Sequence, residues 1–317
     1  MTATVFIDGE QGTTGLQIHA RLSARKDVSL LSLAHADRRN VDLRREMLNR
    51  ADIVILCLPD DAAIEAVSMI ENPNVRVIDA STAHRTADGW VFGFPEYDAA
   101  QRKRVAEAKR VSNPGCYAVA SISLLHPLVS AGLLPADWPV TINAVSGYSG
   151  GGKSMIAEFE DPKSAAYTEA PFFVYGLTLK HKHVPEIQKH GGLTRRPIFV
   201  PSVARFAQGM IVQIPLQLWA LPGAPTPATI HQAMADHYAG CRFVTVAAPD
   251  AAAGISRLEP EGVNGTNELR LHVFGNEKEG QVVLMALLDN LGKGASGSTV
   301  QNMNIMLGLD ETTGLDG

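Results

Sequence analysis

Thr4-Val-Phe-Ile-Asp8-Gly9-Glu-Gln-Gly12-Thr13-Thr14-Gly15-Leu16-Gln-Ile18-His-Ala-Arg-Leu22 is a run of β-forming residues, a glycine turn, and a segment whose Leu16, Ile18 and Leu22 return at helical spacing. The order is strand, turn, helix. The turn reads G-x-x-G-x-x-G and sits where backbone N–H groups and the positive end of the helix dipole meet incoming ligand. A pyrophosphate suits that position, which makes Gly9, Gly12, Thr13, Thr14 and Gly15 candidate dinucleotide contacts. Taken alone, the same letters also describe an ordinary glycine turn.

Reading outward, residues 28–34 form a second strand, 43–48 a helix, and 52–58 a near-continuous apolar strand closed by Pro59. Residues 62–70 are helical, 75–79 form another buried strand, and Val111 leads into Asn113-Pro-Gly-Cys116. Uninterrupted apolar strands alternating with helices predict a parallel sheet covered on both faces, a doubly wound α/β unit over residues 1–115. Beyond Cys116 the texture changes. A long apolar helix (117–131) precedes strand-like runs at 140–145, 198–203, 210–218, 243–246, 269–274 and 281–288, several alternating in polarity. That pattern predicts an α+β second domain with a mixed or antiparallel sheet. Residues 220–228, rich in proline and glycine, read as an exposed connection.

The 317 residues suit two domains, and 45% hydrophobic with 19% charged residues is ordinary for a globular chain. A net charge of −5 gives no basic face for nucleic acid. No apolar run reaches the ~20 residues a bilayer span needs, and no basic segment precedes an apolar one at the start, so a cytoplasmic protein without a membrane partner is expected. Cys57, Cys116 and Cys241 form no CxxC pair, which argues against a disulfide framework and against a thiolate metal site.

The segment after the second strand bears on cofactor choice. In Ala34-His-Ala-Asp-Arg-Arg39 the acid comes late and two arginines follow. Arg38 with Arg39 can clamp a 2′-phosphate, so NADP(H) is preferred, while Asp37 keeps NAD open. Ser81 and Thr82 follow a strand end, where hydroxyls can reach a nicotinamide; a helix cap is the alternative.

Cys116 opens a long helix, an environment that favours thiolate. Cys57, inside an apolar strand, and Cys241, beside one, read as small buried hydrophobes. A cysteine nucleophile needs a proton acceptor, and His181-Lys-His183-Val-Pro-Glu-Ile187 gathers two imidazoles and lysines at a helix start. The bland alternative there is a basic helix corner.

Together, the glycine turn, Asn113-Pro-Gly-Cys-Tyr-Ala118, Ser146-Gly-Tyr-Ser-Gly-Gly-Gly-Lys153, His181-Lys-His-Val-Pro-Glu-Ile187 and the tail Asn290-Leu-Gly-Lys-Gly-Ala-Ser-Gly…Val-Gln-Asn-Met-Asn304 resemble the shorter branch of the N-acetyl-γ-glutamyl-phosphate reductases. The likeness runs over nearly the whole chain. It implies a glyceraldehyde-3-phosphate-dehydrogenase-like architecture, with residues 1–115 and 293–317 binding NADP and 116–292 carrying catalysis and oligomerisation as a homodimer or homotetramer. It also implies that Cys116 is the nucleophile, that His183 is the acid/base, and that Ser149, Gly150 and Asn302 approach the cofactor. Asn113, Arg85 and Lys182 become candidate contacts of an acyl phosphate and the inorganic phosphate it releases. Lys153 and Arg205 are further candidate cations, and Asn113 with the Cys116 N–H candidate donors to the carbonyl oxygen.

Three rivals stand beside this reading. Aspartate-semialdehyde dehydrogenase shares the chemistry. Gly147-Tyr-Ser-Gly-Gly-Gly152-Lys153-Ser154 matches a P-loop letter for letter after a strand, although Pro162 cuts short the helix that should follow. A non-enzymatic NADP sensor is the third.

Overall fold

The computed structural model describes residues 2–249 and 254–317. They form two compact units: the residues up to Gly115 with Ala295–Asp316, and Cys116–Gly294 with Gly317.

In the first unit β1 (Ala3–Asp8), β2 (Val28–Leu31), β3 (Ile53–Leu56), β4 (Arg76–Asp79), β5 (Val91–Phe92) and β6 (Arg110–Ser112) pair in the order β2-β1-β3-β4-β6-β5, every neighbour parallel. Side chains alternate between the two faces of a strand. Val5, Ile7, Ile53 and Ile55 accordingly join Ile18 and Leu22 of α1 (Thr13–Ser23), and Val300 and Met303 of the C-terminal helix Gly297–Met306. Phe6, Val54 and Leu56 join Leu48 of α2 (Val41–Arg50) and Ala63 and Ala66 of α3 (Asp60–Ser68). Both faces are thus sealed, which is why these strands are apolar at consecutive positions. The second strand ends at Leu31 rather than at residue 34, since the chain turns where Asp37 N–H donates to Ala34 O at 2.8 Å. α2 begins where Asn40 caps it, accepting from the backbone N–H groups of Asp42 and Leu43.

The C-terminal helix is buried along all its residues. Arg25 Nη1 donates to Asn304 Oδ1 at 2.7 Å, and Asn304 Nδ2 to Thr313 O at 2.9 Å, fastening the last turns to α1.

In the first unit α4 (Gln101–Glu107) precedes β6; the second unit is built on α5 (Cys116–Ser130), buried along most of its length, with α6 (Gly152–Glu160) further along the chain. Its sheet runs β11-β12-β13-β10-β7-β9-β8, from β7 (Thr141–Gly147), β8 (Phe172–Val174), β9 (Ile198–Ala204), β10 (Met210–Gln217), β11 (Val244–Val246), β12 (Leu269–Asn276) and β13 (Gln281–Leu288). β7–β9 and β11–β12 are parallel and the other pairings antiparallel, so the sheet is mixed. The expected combination of a doubly wound unit with an α+β unit is what the chain forms. The connection at 220–228 is shorter than expected: α8 (Pro227–His237) starts within it, with Thr226 accepting from Thr229 N–H and proline in its first turn.

Candidate functional site

Among the concave sites of the described residues, one in each unit gathers the expected functional residues. In the first, a cleft of about 550 Å³ lies beyond the carboxyl ends of β1 and β3, lined by the Asp8–Gly12 turn, His35, Arg38, Arg39 and Arg44. Gly9 has φ +88°, and a Cβ there would fall 2.3 Å from the Cys57 carbonyl oxygen. A Cβ on Gly15 would fall 2.5 Å from Gly9 O, so α1 can sit against the turn only with glycine at that place. The first bond of α1 is Leu16 N–H to Gly12 O at 2.8 Å, which leaves the amides of Thr13, Thr14 and Gly15 with no partner inside the helix. The first turn of α1 carries neither an acid nor a side-chain cap, so its positive end is uncompensated.

Arg38 and Arg39 line this cleft and Asp37 does not. Sequence reasoning missed its floor, where Arg44 Nη2 reaches Asp8 Oδ2 at 2.8 Å, both side chains being buried. Cys57 also lines the cleft; burial, with Asp79 and Asp8 nearby, pushes its thiol up to about 12, so it remains protonated, as its apolar strand suggested.

Several expected cofactor and substrate contacts have other partners. Asp79, fully buried, accepts from Ser81 N at 2.9 Å and Ser81 Oγ at 2.7 Å, and contacts His84 Nδ1 at 2.6 Å. Thr82 N–H and hydroxyl both donate to Asp60, so the two hydroxyl protons hold the loop rather than facing a ligand. Asn113 is buried as well: its Nδ2 donates to Ala295 O at 3.1 Å and its Oδ1 accepts from Asn302 Nδ2 at 3.2 Å, so both ends of the amide are engaged within the first unit. Asn302 also donates to Gly93 O at 2.8 Å, and its own Oδ1 is buried without a partner. Arg85 is buried in the first unit with Nη2 on Ala80 O at 3.1 Å.

In the second unit Cys116 is the first residue of α5 and half-buried. It shares a cavity of about 200 Å³ with Gly150, Tyr175, His181, Lys182 and His183. His183 caps the start of α7 (Val184–His190) and is buried. Its backbone N–H donates to His181 Nδ1 at 3.2 Å, and the ring of Tyr117 lies edge-on to both imidazoles at 5.8 Å. Burial, helped by the Lys182 ammonium, brings the His181 imidazole down to about 4, so it is neutral near pH 7. A Cβ on Gly294 would lie 2.7 Å from Cys116 Cβ, so the backbone passes close behind the thiol.

The backbone course does not suit a P-loop: the N–H groups of Gly147, Tyr148 and Ser149 donate to Gly209 O at 2.9 Å, Phe206 O at 3.0 Å and Ala207 O at 3.0 Å, Gly152 N–H donates to Ser149 O, and β7 before them has an antiparallel neighbour in β10. Ser149 is buried and accepts from Asn290 Nδ2 at 3.0 Å, while Gly150 alone of that expected pair lines the cavity. Lys153 is exposed, and Arg205 stacks on Phe159 at 5.3 Å with Nη1 on Phe159 O at 3.1 Å; neither lines the cavity. Tyr175, which does, had no sequence signal. Among the described residues no cluster of three or more His, Cys, Asp or Glu could hold a metal, and no helix is long and apolar enough to cross a membrane.

Residues 5–105 match the semialdehyde dehydrogenase NAD binding domain and residues 116–290 the semialdehyde dehydrogenase dimerisation domain. The fold is shared with aspartate semialdehyde dehydrogenase II of Vibrio cholerae, at TM-score 0.71 and 14% identity over 97% of this chain and 98% of that one. It is shared too with an NADP-containing aspartate semialdehyde dehydrogenase of Candida albicans, at TM-score 0.62 and 12% identity over 97% and 99% of the two chains. These matches define a semialdehyde-dehydrogenase-type oxidoreductase. Much nearer in sequence are the N-acetyl-gamma-glutamyl-phosphate reductases of Brucella anthropi and Brucella ovis, each 57% identical over 97% of this chain and 99% and 100% of their own lengths. The chain belongs to the N-acetyl-gamma-glutamyl-phosphate reductase family.

Proposed function

We propose that this protein reduces N-acetyl-γ-glutamyl phosphate to N-acetylglutamate semialdehyde with NADPH, through a thioester on Cys116, in the arginine biosynthesis of the cytoplasm. The observation that carries the reading is the shared cavity in which a cysteine at a helix start meets His181, Lys182 and His183. Cys116 attacks the acyl carbon, the bond to phosphate oxygen breaks, and inorganic phosphate leaves. NADPH, when bound, supplies the hydride that takes the thioester to a thiohemiacetal. His183 accepts the thiol proton at the outset and manages the hydroxyl proton as the thiohemiacetal collapses to aldehyde and thiolate. His181, with its Nδ1 taken by a backbone N–H, is the poorer base of the two. Lys182 holds negative charge on the substrate. The Cys116 N–H, at the helix start, is a donor for the carbonyl oxygen, and Asn113 has one amide proton on Ala295 O and a second beside it.

The first cleft fits a dinucleotide. At Gly9 and Gly15 the turn has no room for a side chain, and the α1 amides suit the pyrophosphate. Arg38 and Arg39 suit a 2′-phosphate, which supports NADP(H) over NAD. The likeness to a dimerisation domain supports a homo-oligomer, dimer or tetramer, which light scattering on the purified chain distinguishes.

The reverse reaction tests the proposal. N-acetylglutamate semialdehyde, phosphate and NADP⁺ are expected to give phosphate-dependent NADPH, with aspartate semialdehyde inactive and Cys116→Ser nearly silent. Turnover of aspartate semialdehyde instead would overturn the substrate assignment.

A further inference from the structure

We propose that Tyr175 is a positioning residue: with the His183 backbone N–H, it locks His181 as the neutral Nε2–H tautomer, leaving His183 the basic imidazole of the pair. The reasoning follows the hydrogens. A backbone N–H can only donate, so the 3.2 Å contact from His183 N makes His181 Nδ1 an acceptor without a proton of its own. The ring proton of a neutral imidazole is then on Nε2, which faces Tyr175 Oη at 3.5 Å. Tyr175 Oη is 3.4 Å from Tyr117 Oη, and the Tyr117 hydroxyl donates to Ser202 O at 3.1 Å. Because Ser202 O can only accept, Tyr117 spends its proton there and must accept from Tyr175. Tyr175 in turn presents a lone pair to His181.

Every donor in this chain of contacts therefore points one way, from His181 through two phenols to a strand carbonyl. Burial pushes the Tyr175 hydroxyl up to about 12, so it keeps the proton this direction requires. The anchor itself is fixed, since Tyr175 N–H donates to Pro201 O at 3.1 Å on β9. The groups facing His181 are Tyr175 after β8, Tyr117 from α5, Phe199 of β9, and Lys182 and His183 on its own segment. No carboxylate is among them, although the Cys116 thiol shares their cavity, and protonation of Nδ1 would set two N–H groups against each other. The catalytic meaning rests on the acyl-phosphate reading above, whereas the tautomer does not.

The test is an imidazole ¹⁵N–¹H correlation spectrum of the full-length protein labelled at histidine, with His181 assigned by comparison with His181→Asn. The wild type is expected to show a neutral ring protonated at Nε2 at pH 6. Tyr175→Phe, which keeps the ring and removes the acceptor, is expected to show both tautomers. It is also expected to lower kcat/KM by roughly 2- to 10-fold, as for one ordinary hydrogen bond, and to shift the acid limb of its pH profile. A merely structural role would reduce active protein without moving that limb. A wild-type ring protonated at Nδ1 or charged at pH 6, or a Tyr175→Phe protein with unchanged tautomer and limb, would overturn the inference. If the spectra come out as expected while no acyl phosphate is reduced, the functional reading fails and the tautomer assignment survives.

Discussion

Arg44 holds Asp8 at the floor of the dinucleotide cleft, with 2.8 Å between Nη2 and Oδ2 and both side chains buried. The pair sets the base of the glycine turn, because Asp8 ends β1 and Gly9 follows directly. Removing one member of a buried pair leaves the other charge uncompensated. Arg44→Met is therefore expected to destabilise the protein by about 3–5 kcal/mol in urea unfolding. The double variant Asp8→Asn with Arg44→Met should regain much of that loss; a double variant no better than the single would contradict the pairing.

The glycine turn makes a second prediction. Gly9→Ala puts a Cβ 2.3 Å from the Cys57 carbonyl at a backbone φ of +88°. Overpacking of this kind costs about 1–3 kcal/mol, and cofactor affinity measured by fluorescence titration should fall with it. Gly12→Ala is the control: its Cβ would meet nothing nearer than 3.4 Å, and a milder effect is expected.

Exchanging Arg38 and Arg39 for alanine should weaken NADPH binding by about 100-fold, two charge-assisted contacts at ~1.5 kcal/mol each, and leave NADH binding nearly as it was. Equal weakening of both cofactors would remove the 2′-phosphate from the interpretation of this cleft.

Substitution of the proposed catalytic pair should separate two roles. Cys116→Ser is expected to abolish the thioester route while the protein still binds NADPH. His183→Asn should lower kcat by about 10²–10⁴-fold, the usual contribution of a positioned acid or base, with KM changed far less.

Stability should fall on mild acidification, and the sign follows from His181. Its folded-state value of about 4 lies below the ordinary 6.5, so between those values the unfolded chain binds the proton and the folded chain does not. The contribution is complete above pH 6.5 and is lost as pH falls toward about 4. His272, buried on β12 and lowered by that burial and then by Arg270, adds in the same direction. Urea midpoints measured from pH 7 to 4 should decline less steeply in His181→Phe than in the wild type.

How far such features can be read from sequence depends on whether their cause is local. The buried strands at 53–56 and 76–79, the helix opening at Cys116 and the glycine turn follow from runs and spacings inside a few residues. β5 and β8, two and three residues long, carry too little pattern to be seen. Asn113 was singled out by its motif, but its true partners, Ala295 and Asn302, come from far along the chain. Ser81 and Thr82 were recognised as hydroxyls at a strand end, yet Asp79 and Asp60 claim them first. The P-loop letters misled because a letter pattern is blind to which carbonyls its amides will meet. Tyr175 had no motif, and only the hydrogen-bond directions around His181 reveal it.

The buried helix Gly297–Met306 has a consequence for biogenesis. As the polypeptide emerges from the ribosome, Cys116–Gly294 is available as one unbroken stretch, whereas the first sheet still lacks Val300, Met303 and Met306 over one face. That face stays greasy and open until Gly297–Met306 clears the exit tunnel. The portion made first is thus the portion finished last, and a nascent chain stalled near residue 290 would present a chaperone with exposed valine and isoleucine at its amino-terminal end.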